Sequence, residues 1–368
     1  MTSENLLSHR LKNQQLVGSR FRTPEDVVQS LGAMQAQEYA MAKWALGLRL
    51  PGATEQSMEQ AINAGQILRT HVLRPTWHFV AAADIRWILA LTAPRVRAAL
   101  AYNDRLFDVT ASVLRRSHAV IEKMLAGGQQ LTRDELATGL RKVGVEAQGT
   151  RLAHIIMHAE LDGLICSGPR RGRHGTYALL EERVPAAPAK SRPEALAELA
   201  RRYFSSRGPA TPADFAWWSG LTLREAKSAA ESLGNEYNHG LLDGKFHVWP
   251  THTAASRMDR SATFLLPDYD EYGIAYKDRT ALIRKRQGDS IRKTLTKLAY
   301  NRMVILDGFL VGSWRRTEEK GTLALEIVLN EPVDTSGLRA LKRALERYGA
   351  FLGKPVEWIN APRRSSQK

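Results

Sequence analysis

Along this chain, runs of apolar residues at helical spacing alternate with shorter runs at strand spacing, and the order in which they come repeats. Period-3.6 patterns predict helices over 6–14, 24–35 and 54–64, followed by strands near Ile67 to His71 and Thr76 to Val80. The succession returns with helices over 112–125, 133–143 and 150–161. The last of these carries Leu152, Ile155, Ile156 and Ala159 on one face, with Gly163 placed to end it. Strands over 164–167 and 177–180 then flank a basic tip, Gly168-Pro-Arg-Arg-Gly-Arg-His-Gly175. A proline-rich linker from Val184 to Pro193 precedes a third copy, with helices over 194–205 and 226–233, a further helix capped by Thr211, and a hairpin over 237–249. Thr23 with Asp26, Thr132 with Glu135, Thr211 with Asp214 and Thr222 with Glu225 have the spacing of capping boxes, in which each side chain satisfies a backbone N–H of the other.

Three helices and a basic hairpin describe a winged helix-turn-helix, with the third helix in the recognition position and the hairpin as wing. An incidental solvated hairpin is the competing reading. From about Ser261 the pattern changes to strands over 262–267, 303–314 with a turn at Asp307-Gly308, and 322–329. A helix over 337–349 and a strand over 356–359 follow. The expected fold is α+β and mainly helical. Three tandem winged helix-turn-helix units occupy 1–105, 106–184 and 194–255, and a C-terminal β-rich, barrel-like domain occupies 261–362.

Length and composition are those of a multidomain globular protein: 368 residues, 43% hydrophobic and 25% charged. No apolar run reaches membrane-spanning length and the N-terminus lacks a signal peptide's pattern, so a cytoplasmic location is expected. The single cysteine, Cys166, excludes an internal disulfide, and its place in a strand suits a buried, inert thiol. A formal charge of +15 makes a polyanion the leading partner. The excess is spread over Arg170, Arg171 and Arg173, Arg284 to Arg286, Arg292-Lys293, Arg315-Arg316 and Arg363-Arg364.

The candidate chemistry lies in Leu31-Gly-Ala-Met-Gln35-Ala-Gln37-Glu38-Tyr39. Residues two apart on a helix point to nearly opposite sides, so Gln35 and Gln37 serve one site only where the helix ends or unwinds, an ending that Gly32 just upstream and the change of pattern after Gln37 favour. Amides are not bases at neutral pH, but a pair can hold a water and shield a developing positive charge. Two polar residues on a solvated helix end are the alternative.

Five motifs in order widen the context: Leu31-Gly-Ala-Met-Gln-Ala-Gln37, Leu73-Arg-Pro-Thr-Trp-His-Phe-Val80, Asp214-Phe-Ala-Trp-Trp-Ser-Gly-Leu221, Leu265-Leu-Pro-Asp-Tyr-Asp-Glu-Tyr272 and Asp307-Gly-Phe-Leu-Val-Gly-Ser-Trp-Arg-Arg316. Together they resemble the tandem winged-helix DNA glycosylases of the AlkZ/YcaQ type, over nearly the whole chain. The resemblance implies three winged helices and a β-barrel around a DNA-sized cleft. It also implies a monofunctional glycosylase that releases alkylated bases and, in some members, unhooks interstrand crosslinks. No phosphate-binding glycine loop or dinucleotide fingerprint appears in the sequence, so no cofactor is expected, and no metal. The Gln-x-Gln motif places the resemblance in the AlkZ-like branch, with Gln35 and Gln37 as catalytic residues. The expected partner is double-stranded DNA carrying alkylated bases or crosslinks, bound by a monomer at the nucleoid.

Arg170, Arg171, Arg173 and His78 are the candidate DNA contacts. Trp77 and His78 lie adjacent in a strand and face opposite sides, one into the core and one toward the cleft. Asp268, Asp270 and Glu271 suggest a metal but lack a fourth ligand, and ion pairs with Lys277 and Arg279 explain them better. Trp217-Trp218 is read as core. A non-catalytic winged-helix DNA-binding protein, such as a transcription regulator, stands as the second hypothesis, since fold alone does not decide function.

Overall fold

A computed structural model describes residues 3–242, 244–253, 262–284, 301–319 and 321–360. Lys285-Arg286, Arg292-Lys293 and Arg363-Arg364, among the expected basic clusters, lie outside the described residues, as do parts of the 194–255 and 261–362 domain assignments.

The first region contains α1 (Ser3–Asn13), α2 (Pro24–Leu31), β1 (Met34–Gln35), α3 (Tyr39–Gly47), α4 (Glu55–Asn63), β2 (Ile67–His71), β3 (Trp77–Ala81) and the long α5 (Ile85–Leu106). The second has α6 (Ala111–Leu125), β4 (Leu131–Thr132), α7 (Arg133–Lys142), α8 (Gly149–Leu161), β5 (Ile165–Arg171), β6 (His174–Leu179) and α9 (Leu180–Arg183). The third has α10 (Arg192–Arg207), α11 (Pro212–Ser219), α12 (Leu223–Glu231), β7 (Tyr237–Leu242) and β8 (Lys245–Pro250). The last has β9 (Thr263–Leu265), α13 (Glu271–Ile274), β10 (Met303–Leu306), β11 (Phe309–Glu319), β12 (Thr322–Leu329), α14 (Thr335–Leu352) and β13 (Val356–Asn360).

All four expected capping boxes are formed, at Thr23, Thr132, Thr211 and Thr222. The expected elements do not include α3 or α5, and each departs from the amphipathic pattern. From Met41 to Gly47 every residue of α3 is buried, Lys43 included, so it has no polar face to set a period. In α5, Pro94 lies inside the helix, where proline ordinarily marks a break. The last region forms an open five-stranded sheet in the order β13-β12-β11-β10-β9. Among the described residues its edge strands, β13 and β9, do not pair with each other, so the described sheet is half a barrel rather than a closed one.

The regions do not each have a core of their own. One apolar cluster joins Leu7, Val28, Trp44 and Met58 of the first region to Phe264, Val304, Leu325 and Tyr348 of the last. A second joins Leu68, Val80 and Ile88 to Tyr203, Phe215, Trp218 and Val248 of the third. Among the described residues only the second region holds a separate core, around Ile121, Leu136, Leu140 and Ile155, and it also adds Cys166, Leu180 and Val184 to the second shared cluster. Among the described residues no helix is long and apolar enough to cross a membrane.

The second region departs from the expected reading at α8. Residues 154–161 are all buried, so this helix is not free to lie in a major groove. Its apolar face joins the local core, and its polar face is covered by the first region: Asp104 of α5 accepts from His154 Nδ1 (2.7 Å) and His158 Nε2 (2.9 Å). Glu160 pairs with His71 of β2.

Candidate active site

Helix α2 stops at Leu31, four residues before the range its periodicity suggests. Gly32, at φ 77°, turns the chain out of the helix, a region in which glycine carries no side-chain penalty. The carbonyls exposed by this early end are taken up by Arg207 of α10, which donates to Leu31 O (2.7 Å) and Ala33 O (2.9 Å). The chain then runs extended as β1, pairing Met34 with Phe79 and Gln35 with His78. Gln35 closes the strand and Gln37 lies in the bend just after it, both part-exposed on either side of the buried Ala36. Their amides meet one neighbouring segment, Arg74 to Trp77, through a short strand and a bend where the sequence pattern suggests the end of a helix.

Each glutamine is oriented. Arg74 Nη2 donates to Gln35 Oε1 at 3.0 Å, and the Trp77 backbone N–H points at Gln37 Oε1 at a longer 3.4 Å. Both partners can only donate, so the amide oxygens face them and the NH2 groups face away. Beneath, Arg69 holds the backbone through Ala36 O (2.9 Å) and Gln37 O (3.2 Å), with its guanidinium 4.1 Å from the Trp77 ring centre. Burial lowers the pKa of Arg69 from its ordinary value.

Arg74 is aimed by a tight loop. Leu73 adopts φ 62°, a costly conformation for a branched side chain, and its N–H donates to Thr92 Oγ1 (3.1 Å). Gly220 lies against this loop so closely that a Cβ there would come within 2.1 Å of Leu73 O. Arg74 also donates to Trp217 O (3.2 Å), which ties the loop to α11.

The acidic cluster is structural, with partners other than those expected. Asp270 makes two 2.9 Å bonds to Arg49 with both side chains fully buried. Glu271 accepts from Arg207 (2.6 Å), Trp218 Nε1 (2.9 Å) and the Gln35 backbone N–H (2.9 Å), and Asp268 accepts from Arg302 (2.8 Å). The cluster thus supports β1 from below. Among the described residues no three His, Cys, Asp or Glu side chains are grouped as metal ligands.

The remaining candidates divide. His78 is fully buried, with Nδ1 2.9 Å from Thr76 O, and Trp77 is the half-exposed member of the pair, reversing the expected DNA contact. Burial, with Arg74 nearby, holds the His78 pKa well below the usual imidazole value, so its ring is neutral. Of the hairpin arginines, Arg173 is exposed and Arg171 is paired with Glu135 at 2.8 Å. Arg170 turns back onto the first region, 4.5 Å over the Tyr39 ring and 3.6 Å from Glu59. Trp218 is core, but Trp217 is 40% exposed. Cys166 is fully buried and its thiol pKa is pushed up to about 12 by burial. Glu38, next to the pair, is exposed. Arg69, Arg74 and Glu271 were not apparent as site residues in the sequence, although Arg74 and Glu271 lie inside the quoted motifs.

Comparison with known proteins adds three findings. The family model described as DNA glycosylase AlkZ-like matches residues 28–351. An interstrand DNA cross-link repair glycosylase of Streptomyces sahachiroi is 24% identical over 364 residues, covering 94% of each chain. The solved structure of Streptomyces sahachiroi DNA glycosylase AlkZ superposes with a TM-score of 0.78 at 22% identity, covering 98% of this chain and 100% of that one.

Proposed function

The chain belongs to the AlkZ-like DNA glycosylase family, and from that premise we propose that it hydrolyses the N-glycosidic bond of cationic N7-alkylpurines in duplex DNA. The product is an abasic site, formed without metal or cofactor. The observation that carries the reading is that the Gln35 and Gln37 amides meet one neighbouring segment, Arg74 to Trp77, whose N–H donors hold both.

The chemistry follows from the leaving group. A purine alkylated at N7 already carries positive charge, so its bond to the sugar breaks without a strong acid. What remains is to place a water and to stabilise an oxocarbenium-like sugar. The long bond to Gln37 Oε1 leaves that oxygen the weaker engaged of the two, so Gln37 holds the attacking water, and Gln35, fixed by Arg74, faces the sugar. An unmodified guanine is spared by its poor leaving ability.

The three successions of helices and hairpin support reading three winged-helix units, with the hairpin of the second touching phosphates through Arg171 and Arg173. We extend the activity to unhooking of interstrand crosslinks, as named for the Streptomyces sahachiroi relative, and take the enzyme to act as a cytoplasmic monomer. The test is incubation with duplex containing N7-methylguanine, scored for alkali-labile sites with and without chelator. Base release unaffected by chelator is expected. Activity abolished by the chelator removes the metal-free mechanism, and an inert enzyme that still binds DNA favours a regulator.

A further inference from the structure

The three arginines of the β5–β6 hairpin do not share a role. Arg173 is exposed and the Arg171 side chain is 56% exposed, whereas that of Arg170 is 23% exposed. Adjacent residues of a strand point to opposite sides, and Arg170 points at the first region. Its backbone N–H donates to Asn63 Oδ1 at the end of α4 (2.8 Å), which fixes the strand there. Its guanidinium makes three contacts at once. It lies 4.5 Å from the centre of the Tyr39 ring, its Nε is 3.6 Å from Glu59, and its Nη2 donates to Arg173 O in the turn of the hairpin.

Tyr39 stands two residues after Gln37 and opens α3. That helix begins without a side-chain cap, since Glu38 at its N-cap position makes no capping bond. Its first residue is held instead through the Tyr39 side chain. The hydroxyl donates to Glu59 (2.9 Å), the ring meets Phe79 of β3 nearly at right angles with centres 6.0 Å apart, and Arg170 covers it. The bend at Gln37 and Glu38 is therefore suspended between β1, which β3 fixes, and a tyrosine that Arg170 helps to fix. Strand β5 reaches the bend by a second route. Ser167 Oγ accepts from the Arg69 backbone N–H (2.9 Å), and the Arg69 side chain holds Ala36 O and Gln37 O.

We propose that Arg170 is a positioning residue for the reaction: through Tyr39 it sets the bend that carries Gln37, so the hairpin takes part in bond cleavage as well as in binding DNA. The proposal rests on the glycosylase reading. A water placed by an amide tolerates little displacement, and a shift of about 1 Å can cost on the order of 100-fold in rate. A cation over an aromatic ring and beside a carboxylate is a tie that a neutral side chain does not replace. Phosphate contact at Arg173 loads the turn whose carbonyl Arg170 holds, so DNA at the tip and the setting of Gln37 are joined through one side chain.

The experiment uses the full-length protein and N7-methylguanine duplex. It measures single-turnover base release at saturating enzyme, duplex affinity, and amide hydrogen exchange of the peptide spanning 34–40 by mass spectrometry. Arg170→Gln should slow base release by about 10–100-fold, with affinity near wild type and faster exchange over 34–40. Arg170→Lys, which keeps a cation over the ring, should recover most of the rate. Tyr39→Leu should act like Arg170→Gln, and the double variant should lose no more than the larger single loss, because the two side chains form one link. Wild-type rates in both single variants overturn the proposal, as do losses that multiply. A defect of Arg170→Gln confined to affinity, with the saturated rate unchanged, also overturns it and makes Arg170 a phosphate contact. A wild type that releases no base while exchange over 34–40 still responds to Arg170→Gln overturns the glycosylase reading and leaves the link standing.

Discussion

The first, third and last regions are fused, and the second is joined to them by a seam of a different kind. In the fused body, shared apolar clusters run from α1–α4 into the C-terminal sheet and from β2–β3 into α10–α12. Two fully buried ion pairs, Arg49 with Asp270 and Arg207 with Glu271, cross it. The second region has its own core and also meets the body through apolar contacts, of α5 with Met157 and Leu161 and of Cys166, Leu180 and Val184 with the cluster shared by the first and third regions. Beside these, the seam carries a set of polar contacts. His154 and His158 meet Asp104, Glu160 meets His71, the Arg69 N–H donates to Ser167 (2.9 Å), and Arg183 donates to Ile62 O and Asn63 O. The glutamines lie in the fused body, where shared packing fixes them, while the basic hairpin belongs to a region with a core of its own and arrives across a seam that is in part polar.

Breaking the site within the fused body should have the largest effect. Gln37→Ala is expected to slow single-turnover base release by roughly 10–1000-fold while duplex affinity stays near wild type. Gln35→Ala should act similarly but less strongly, and the double variant should lose less than the product, because groups serving one water are not independent. Gln37→Asp keeps a group able to hold water and should retain measurable activity. Alanine variants that release base at the wild-type rate remove the glutamines from the mechanism.

The contrast between buried and exposed ion pairs is next in size. Asp270→Asn leaves Arg49 as an uncompensated buried charge and should destabilise the protein by about 3–5 kcal/mol. Arg151→Ala breaks pairs with the exposed Asp108 and Glu146 and should cost no more than about 1 kcal/mol. Denaturant melts measure both, and equal losses would deny the distinction drawn between body and second region.

Across the seam, the three hairpin arginines should separate. Arg171→Gln with Arg173→Gln should weaken duplex binding irrespective of sequence and flatten its salt dependence by about 1–2 in log–log slope. Arg170→Gln, whose charge is spent on Tyr39 and Glu59, should change that slope least. A slope carried mainly by Arg170 would reverse the assignment.

The smallest effect concerns pH. The His78 pKa is held low in the folded chain, so at acidic pH the unfolded chain binds the extra proton. Stability on this account is fully present above the unfolded value near 6.5 and declines as pH falls below it, by at most about 1.4 kcal/mol per pH unit. His9, His118 and His247 are shifted the same way by burial and add to the trend. His78→Asn keeps a donor toward Thr76 O and should shallow the fall in melting temperature between pH 7 and pH 5. An unchanged slope would mean that His78 is not buried neutral.

Local physics made much of this protein legible in sequence. The capping boxes set four helix starts because the signal is complete within four residues. Ile67 to His71 and Thr322 to Leu329 form strands over the expected ranges, and the Asp307-Gly308 turn joins β10 to β11 with both residues at positive φ. The pair Gln35 and Gln37 was visible as a motif, and Gly32 as a sign that a helix ends nearby, although the expected helix ran on to Gln35. Its geometry was not. Whether two residues two apart share a face depends on strand or helix, and β1 is a two-residue strand that exists only because β3, from forty residues away, supplies its partner. Arg74, Arg69 and Glu271 reach the pair from separate segments, and no spacing in one chain encodes that convergence. The polar face of α8 read as that of a recognition helix, and the acid cluster as ion-paired to near neighbours. Tertiary structure buries them, because Asp104, His71, Arg49 and Arg207 offset the desolvation that a lone charge would suffer.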